Sequence, residues 1–201
     1  KIASTTSALF LPLDALYAQS FPWHEQREMP AKQLALSNPH YALEAWFDGT
    51  TFVGLSGCWD FGEYMYIEHL AIDGALRSQG YGKKVLHTIL TRSPMTILEI
   101  DPLTTDIANK RLRFYESMGF CANEWPHTHP AYHQGIADHE LIVLSYPHAI
   151  DAECYQRFNE DLCHHVMALS RWCPKGWGIL CGITPRFPPV HADTGRSGGK
   201  I

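Results

Sequence analysis

Arg77-Ser78-Gln79-Gly80-Tyr81-Gly82 is the stretch on which the fold turns. Behind it, Tyr64 to Ile72 is a strand-like run. Ahead of it, Tyr81, Val85, Leu86, Ile89 and Leu90 recur with a period near 3.6, so the chain passes here from strand to helix. Glycines at such a passage let the backbone approach a ligand, and the exposed N–H groups of a helix start favour phosphate through hydrogen bonds and the macrodipole. The run is therefore a candidate diphosphate cradle. The same six residues also suit a plain strand-to-helix turn whose glycines only relieve strain. Two other phosphate motifs fail. A P-loop needs a glycine where Arg77 stands, and a dinucleotide fingerprint starting at Gly80 needs one where Val85 stands.

Upstream, Tyr41 to Phe47, Thr51 to Trp59 and Tyr64 to Ile72 are separated by Asp48-Gly49 and Asp60-Phe61-Gly62, turn signals of hairpin length, which predicts an antiparallel meander. Before it, Leu13, Leu16, Tyr17 and Phe21 mark a helix ended by Pro22. Pro30 opens a second, short helix through Leu36. Downstream, Ser93-Pro94 stops the helix, Met95 to Ile100 reads as a strand, and Ile107, Leu112, Tyr115 and Met118 mark a helix capped by Gly119. Strand, helix, strand, helix is the βαβα order of a parallel pair. A last strand, Leu141 to Leu144, follows a long loop from Cys121 to Asp138, of a length that is usually functional or mobile. Apolar residues every fourth position from Ile150 to Val166 predict a final amphipathic helix over Asp151–Leu169, to pack on the core or on a second copy of the chain. The expected organisation is one mixed α/β domain over 1–148, this helix within 149–169, and a loosely ordered tail over 170–201.

Composition narrows the function. The 201 residues carry 21 acidic and 16 basic side chains, a net charge of -5, without the basic excess that a nucleic-acid surface needs. No run approaches the roughly 20 apolar residues of a membrane helix, so a cytoplasmic protein is expected. The six cysteines form no Cys-x-x-Cys pair, and His127, His129 and His133, although clustered, lack the convergent spacing of a metal set. No metal is expected.

Arg-x-x-Gly-x-Gly after a strand resembles the acetyl-CoA-binding motif of the GNAT N-acetyltransferases. Glu68-His69-Leu70-Ala71-Ile72-Asp73 resembles that family's fourth strand, and Phe114-Tyr115-Glu116-Ser117-Met118-Gly119-Phe120 the end of its fourth helix, so the resemblance spans Leu13 to Tyr146 in order. It implies a GNAT-like fold with splayed central strands. It also implies acetyl-CoA as cosubstrate, held by the main chain of Leu70, Ala71 and Ile72 and by Arg77, Ser78, Gln79, Gly80, Tyr81, Gly82 and Lys83. The family's cofactor asparagine falls on Ala108 here, one position from Asn109, which is taken as the candidate in its place. The segment Asp101 to Thr105 is longer than usual and implies a reshaped cleft edge.

The implied reaction is direct attack of a neutral amine on the thioester, with the amine carried by a small molecule or a peptide. Tyr115 is the implied acid for the leaving thiolate. A base must free the amine of its proton, and Glu68 and Glu99 are the candidates. Glu68 alternates with Tyr66 and Leu70, while Glu99 interrupts an apolar run where an unpaired carboxylate is costly. His127, His129 and His133 are placed at the acceptor end. A catalytically silent acyl-CoA-binding module is the alternative, and loss of acid and base would favour it.

Overall fold

A computed structural model describes residues 1–170. The helices are α1 Phe10–Ser20, α2 Met29–Ser37, α3 Tyr81–Leu90, α4 Asp106–Glu116 and α5 Ala152–Asp161. The strands are β1 Tyr41–Asp48, β2 Thr51–Asp60, β3 Met65–Ile72, β4 Thr96–Ile100, β5 Cys121–Ala122, β6 Thr128–His129, β7 His139–Glu140 and β8 Ile142–Tyr146. β1, β2 and β3 form the expected antiparallel meander in a sheet of order β1-β2-β3-β4-β8-β5, and β3 runs parallel to β4. The tail assigned to 170–201 lies, apart from Ser170, outside the described residues.

Two apolar layers cover the sheet. On one face α1, α2 and α5 bury Leu13, Leu16, Ala35 and Phe158 against Tyr66, Ile97 and Val143. On the other, α3 and α4 set Val85, Leu86, Ile89 and Phe114 against Ile67, Leu98 and Ile100. Helix α5 spends its stripe within the chain, so the face read as a dimer candidate is core here. A four-residue repeat overshoots an ideal helix by about 40° per step. The wider π turn Leu162–Val166 takes up that drift, and Phe158, Leu162 and Val166 are all fully buried.

Two irregularities in β3 shape the site. Pairing with β4 covers only Met65–Ile67 against Thr96–Leu98, so beyond Ile67 the two strands part, as the resemblance implied. The register against β2 also shifts, with Ile67 opposite Cys58 and His69 opposite Gly57, leaving Glu68 as the extra residue of a bulge. The bulge corrects the simple alternation. Glu68 stays on the α1 face with Tyr66 and brings His69 with it, whereas Leu70 joins the α3 face.

Candidate active site

The gap between β3 and β4 opens into a cleft of about 1230 Å³ that joins the two faces of the sheet. On the α3 side it is lined by Ile72, Arg77, Gly82, Lys83, Phe114 and Tyr115, and on the α1 side by Phe21, Glu25, His69, Glu99, His129 and Tyr132. Leu70, Ala71 and Ile72 form its floor, paired to β2 on one edge and, among the described residues, to no strand on the other.

The cradle fits a diphosphate on its geometry. Ser78 and Gly80 both take positive φ, 63° and 84°, and Gly80 starts α3 with no side chain capping the first N–H groups. Those donors stay available to an anion. At Gly82 a Cβ would sit 3.4 Å from the Phe114 ring, an ordinary contact, so the protein's own packing does not demand glycine there. Arg77, Ser78, Gly80, Gly82 and Lys83 line the cleft. Gln79 and Tyr81 do so through main chain at most, because the Gln79 amide donates to Ala75 O at 3.1 Å and the Tyr81 hydroxyl donates to Asp48 at 2.8 Å. Asn109 is engaged by its own backbone neighbours. Its amide donates to Thr105 O at 2.8 Å and to Leu103 O at 3.3 Å, tying down the long connection, and the residue is not part of the cleft wall. Lys110 and Arg111 line the cleft from the same helix, and nothing in the motif marked them.

Glu68 is fully buried and committed. Arg27 donates to Oε1 from Nε at 2.9 Å and approaches it with Nη2 at 2.8 Å, Tyr132 donates to Oε1 at 2.9 Å, and Trp59 donates to Oε2 at 2.7 Å. Burial pushes its carboxyl up, but Arg27 leads the charges and hydrogen bonds that hold it below the usual value. Arg27 in turn donates to Val166 O at 2.8 Å and Ser170 Oγ at 2.7 Å, so one ion pair fastens β3, the segment after α1 and the end of the α5 region. Its burial was not legible in the sequence. Arg27 is a lone cation between two short helices.

Glu99 accepts from His127 Nε2 on one oxygen and from the Tyr66 hydroxyl at 2.5 Å on the other. Burial again pushes up. His129, then His127 and Tyr66, overcome it and bring the carboxyl down to about 2. Both carboxylates have their oxygens engaged by these donors, which leaves them poorly placed to take a proton from an amine.

The three loop histidines separate. His133 stacks on Trp23 at 3.9 Å and bonds Trp23 O at 2.9 Å, fastening the loop to the segment after α1. His127 backs Glu99 and reaches the Tyr155 hydroxyl at 3.1 Å. Only His129 of the three lines the cleft. Among the described residues no group of His, Cys, Asp and Glu is placed to hold a metal ion. Tyr115 presents a hydroxyl with no hydrogen-bond partner among the described residues, its ring packed edge-on to Phe114 and Phe120, and burial pushes that hydroxyl up to about 12 despite Arg111. None of the described helices is long and apolar enough to cross a membrane.

Comparison with known proteins agrees with this geometry. No curated protein matches the sequence. A structure assigned to the GNAT acetyltransferases, from Bacteroides thetaiotaomicron, is 26% identical, covers 83% of this chain and 97% of its own, and superposes with a TM-score of 0.77. Arabidopsis thaliana Naa50, in complex with a bisubstrate analogue, is 16% identical over 71% of this chain and 94% of its own with a TM-score of 0.51, a likeness of fold alone. The model of the acetyltransferase (GNAT) family matches residues 10–120, more than half of the sequence and the part that holds the meander, the cradle and the Tyr115 helix. On that match, and on strands that part above an uncapped helix start, the chain belongs to the GNAT acetyltransferase family.

Proposed function

We propose that the protein transfers an acetyl group from acetyl-CoA to a cationic primary amine by direct attack within a ternary complex. The observation that carries this reading is the parting of β3 and β4, which leaves one continuous cleft running from the uncapped start of α3 to buried proton-handling side chains. When bound, acetyl-CoA supplies the thioester. The protein contributes N–H donors and Arg77 and Lys83 for the diphosphate, the unpaired edge of Leu70–Ile72 for the pantetheine arm, and Tyr115 beside the sulfur. A main-chain N–H near Leu70 is the donor for the oxyanion.

Acidic side chains gather at the acceptor end. Glu25, Asp138 and Glu140 line it beside Asp101, whose charge Arg111 meets at 2.5 Å, and burial together with Asp101 pushes the Glu25 carboxyl up, which a cation in the cleft would relieve. Glu25→Gln is accordingly expected to raise KM for a diamine several-fold while leaving kcat and acetyl-CoA affinity unchanged. Equal KM values for both chains would remove Glu25 from acceptor binding.

The decisive experiment is coenzyme A release against a panel holding a four-carbon diamine, a polyamine, an aminoglycoside-like compound and a peptide amino terminus, with calorimetric titration of acetyl-CoA. Binding without turnover on any amine would favour a silent acyl-CoA module. For Gly82→Leu, acetyl-CoA binding weakens by ~1.5 to 3 kcal/mol per lost charge-assisted bond while the thermal midpoint stays near the parent's. Undiminished affinity in the folded variant would remove the cradle.

A further inference from the structure

Neither glutamate has the character of a base, yet an ammonium cannot attack until it loses a proton. We propose that His129 is that base, its Nε2 taking the proton from an ammonium group anchored by Glu99. The assignment rests on the acetyl-transfer reading above.

Four observations converge on His129. Its Nδ1 lies 2.7 Å from Pro130 O, and a carbonyl only accepts, so Nδ1 carries the hydrogen. In the neutral ring Nε2 is then a lone pair, and it has no hydrogen-bond partner among the described residues. The ring is fixed by stacking on Tyr132 with centroids 5.2 Å apart, and Tyr132 is itself held by Glu68 at 2.9 Å. Finally, Nε2 stands 3.9 Å from Glu99 Oε2, too far for a hydrogen bond between them. A nitrogen about 2.8 Å from each atom would bridge both, within the normal hydrogen-bond range. Glu99, ionised and backed by His127 and Tyr66, attracts the ammonium and afterwards stabilises the imidazolium.

The groups that face the His129 ring are Glu99 from β4, His69 from β3, His139 opposite it on β7, and Tyr132 from the same loop. His69, pushed down to about 4 chiefly by burial, is neutral near pH 7. Its Nε2 is engaged with Glu25 O and the Tyr17 hydroxyl, both at 3.3 Å, and its Nδ1 is sealed beside Glu68. His129 therefore has the ring nitrogen open to the cleft.

The step balances as follows. His129 takes one proton from the ammonium and passes it to cleft water. The freed nitrogen pair forms the C–N bond, and the C–S bond breaks with its pair on sulfur, which Tyr115 hydrogen-bonds. The second nitrogen proton reaches the thiolate through water. One ammonium and one thioester give one amide, one thiol and one released proton.

Two measurements test the assignment. Nitrogen-15 NMR of the substrate-free protein at mildly alkaline pH is expected to show His129 neutral with the proton on Nδ1. A proton on Nε2 would overturn the proposal whether or not any amine is turned over. With the four-carbon diamine as acceptor, His129→Gln is expected to lower kcat/KM on the order of 10²-fold, abolish its acid limb, retain acetyl-CoA affinity and regain activity with added imidazole. A variant of parental activity and pH profile would refute His129 as base while leaving the transfer reading intact. A wild-type protein inactive on every amine would instead strike at that reading.

Discussion

A Glu68→Gln chain is expected to unfold about 3–5 kcal/mol more easily than the parent, because the substitution leaves the Arg27 guanidinium buried without its counter-charge. The loss is concentrated in one residue. Arg27 and Glu68 are 2% and 0% exposed at the side chain, too dry for water to replace the missing partner. The neutral amide also turns a donor toward the Arg27, Tyr132 or Trp59 donors that now meet a carboxylate. Urea unfolding measures the effect as a lower midpoint at unchanged slope. A shift worth less than about 1 kcal/mol would mean that the pair contributes no more than a surface bridge.

The same carboxylates are expected to contribute to the acid limit of the fold. Both Glu68 and Glu99 have folded-state values below the ordinary one, so their stabilisation is fully present above pH 4.5 and lost as pH falls through the folded value, about 2 for Glu99. Glu99→Gln should therefore flatten the decline in stability across that window. A profile as steep as the parent's would exclude Glu99 as a source of acid sensitivity.

The second large effect is on turnover. Tyr115→Phe is expected to lower kcat on the order of 10²-fold while acetyl-CoA affinity and thermal midpoint stay near the parent's. The ring packs against Phe114 and Phe120 through its edges, contacts phenylalanine repeats, and the hydroxyl makes no hydrogen bond among the described residues that would be lost. Magnitudes decide how the hydroxyl works. Held at about 12, it is a weaker acid than a thiol of about 8.5, so complete transfer to the departing sulfur runs uphill. On the proposed reaction its contribution is a hydrogen bond to the developing thiolate, which places the expected loss at the low end of general-acid effects. Steady-state rates and donor titration on the same preparation separate the outcomes, and a fully active, folded Phe variant would leave Tyr115 a packing residue.

Local sequence specifies the order of the longer elements and the place of the candidate cradle, but not the two-residue strands β5, β6 and β7, the first two of which fall in the stretch read as one long loop. The order and the cradle are written in local chemistry: alternation in Thr51–Trp59, a 3.6-residue period from Tyr81, and glycines at the junction between them. Glu99 was also legible as unusual, since a carboxylate inside Ile97–Ile100 must find a partner. Tertiary structure alone decided the partners. The bulge at Glu68 breaks the alternation and turns His69 to the same face, a shift that no period in the strand announces. Arg27, 41 residues away, converts Glu68 from a candidate base into an anchor. His127, His129 and His133 look alike in sequence, and the folding of their loop sends one behind Glu99, one into the cleft and one against Trp23. Periodicity reports which face of an element is apolar. It carries no information about which distant polar group will complete a buried hydrogen bond, and it is those long-range pairings that divide the candidate residues between structure and chemistry.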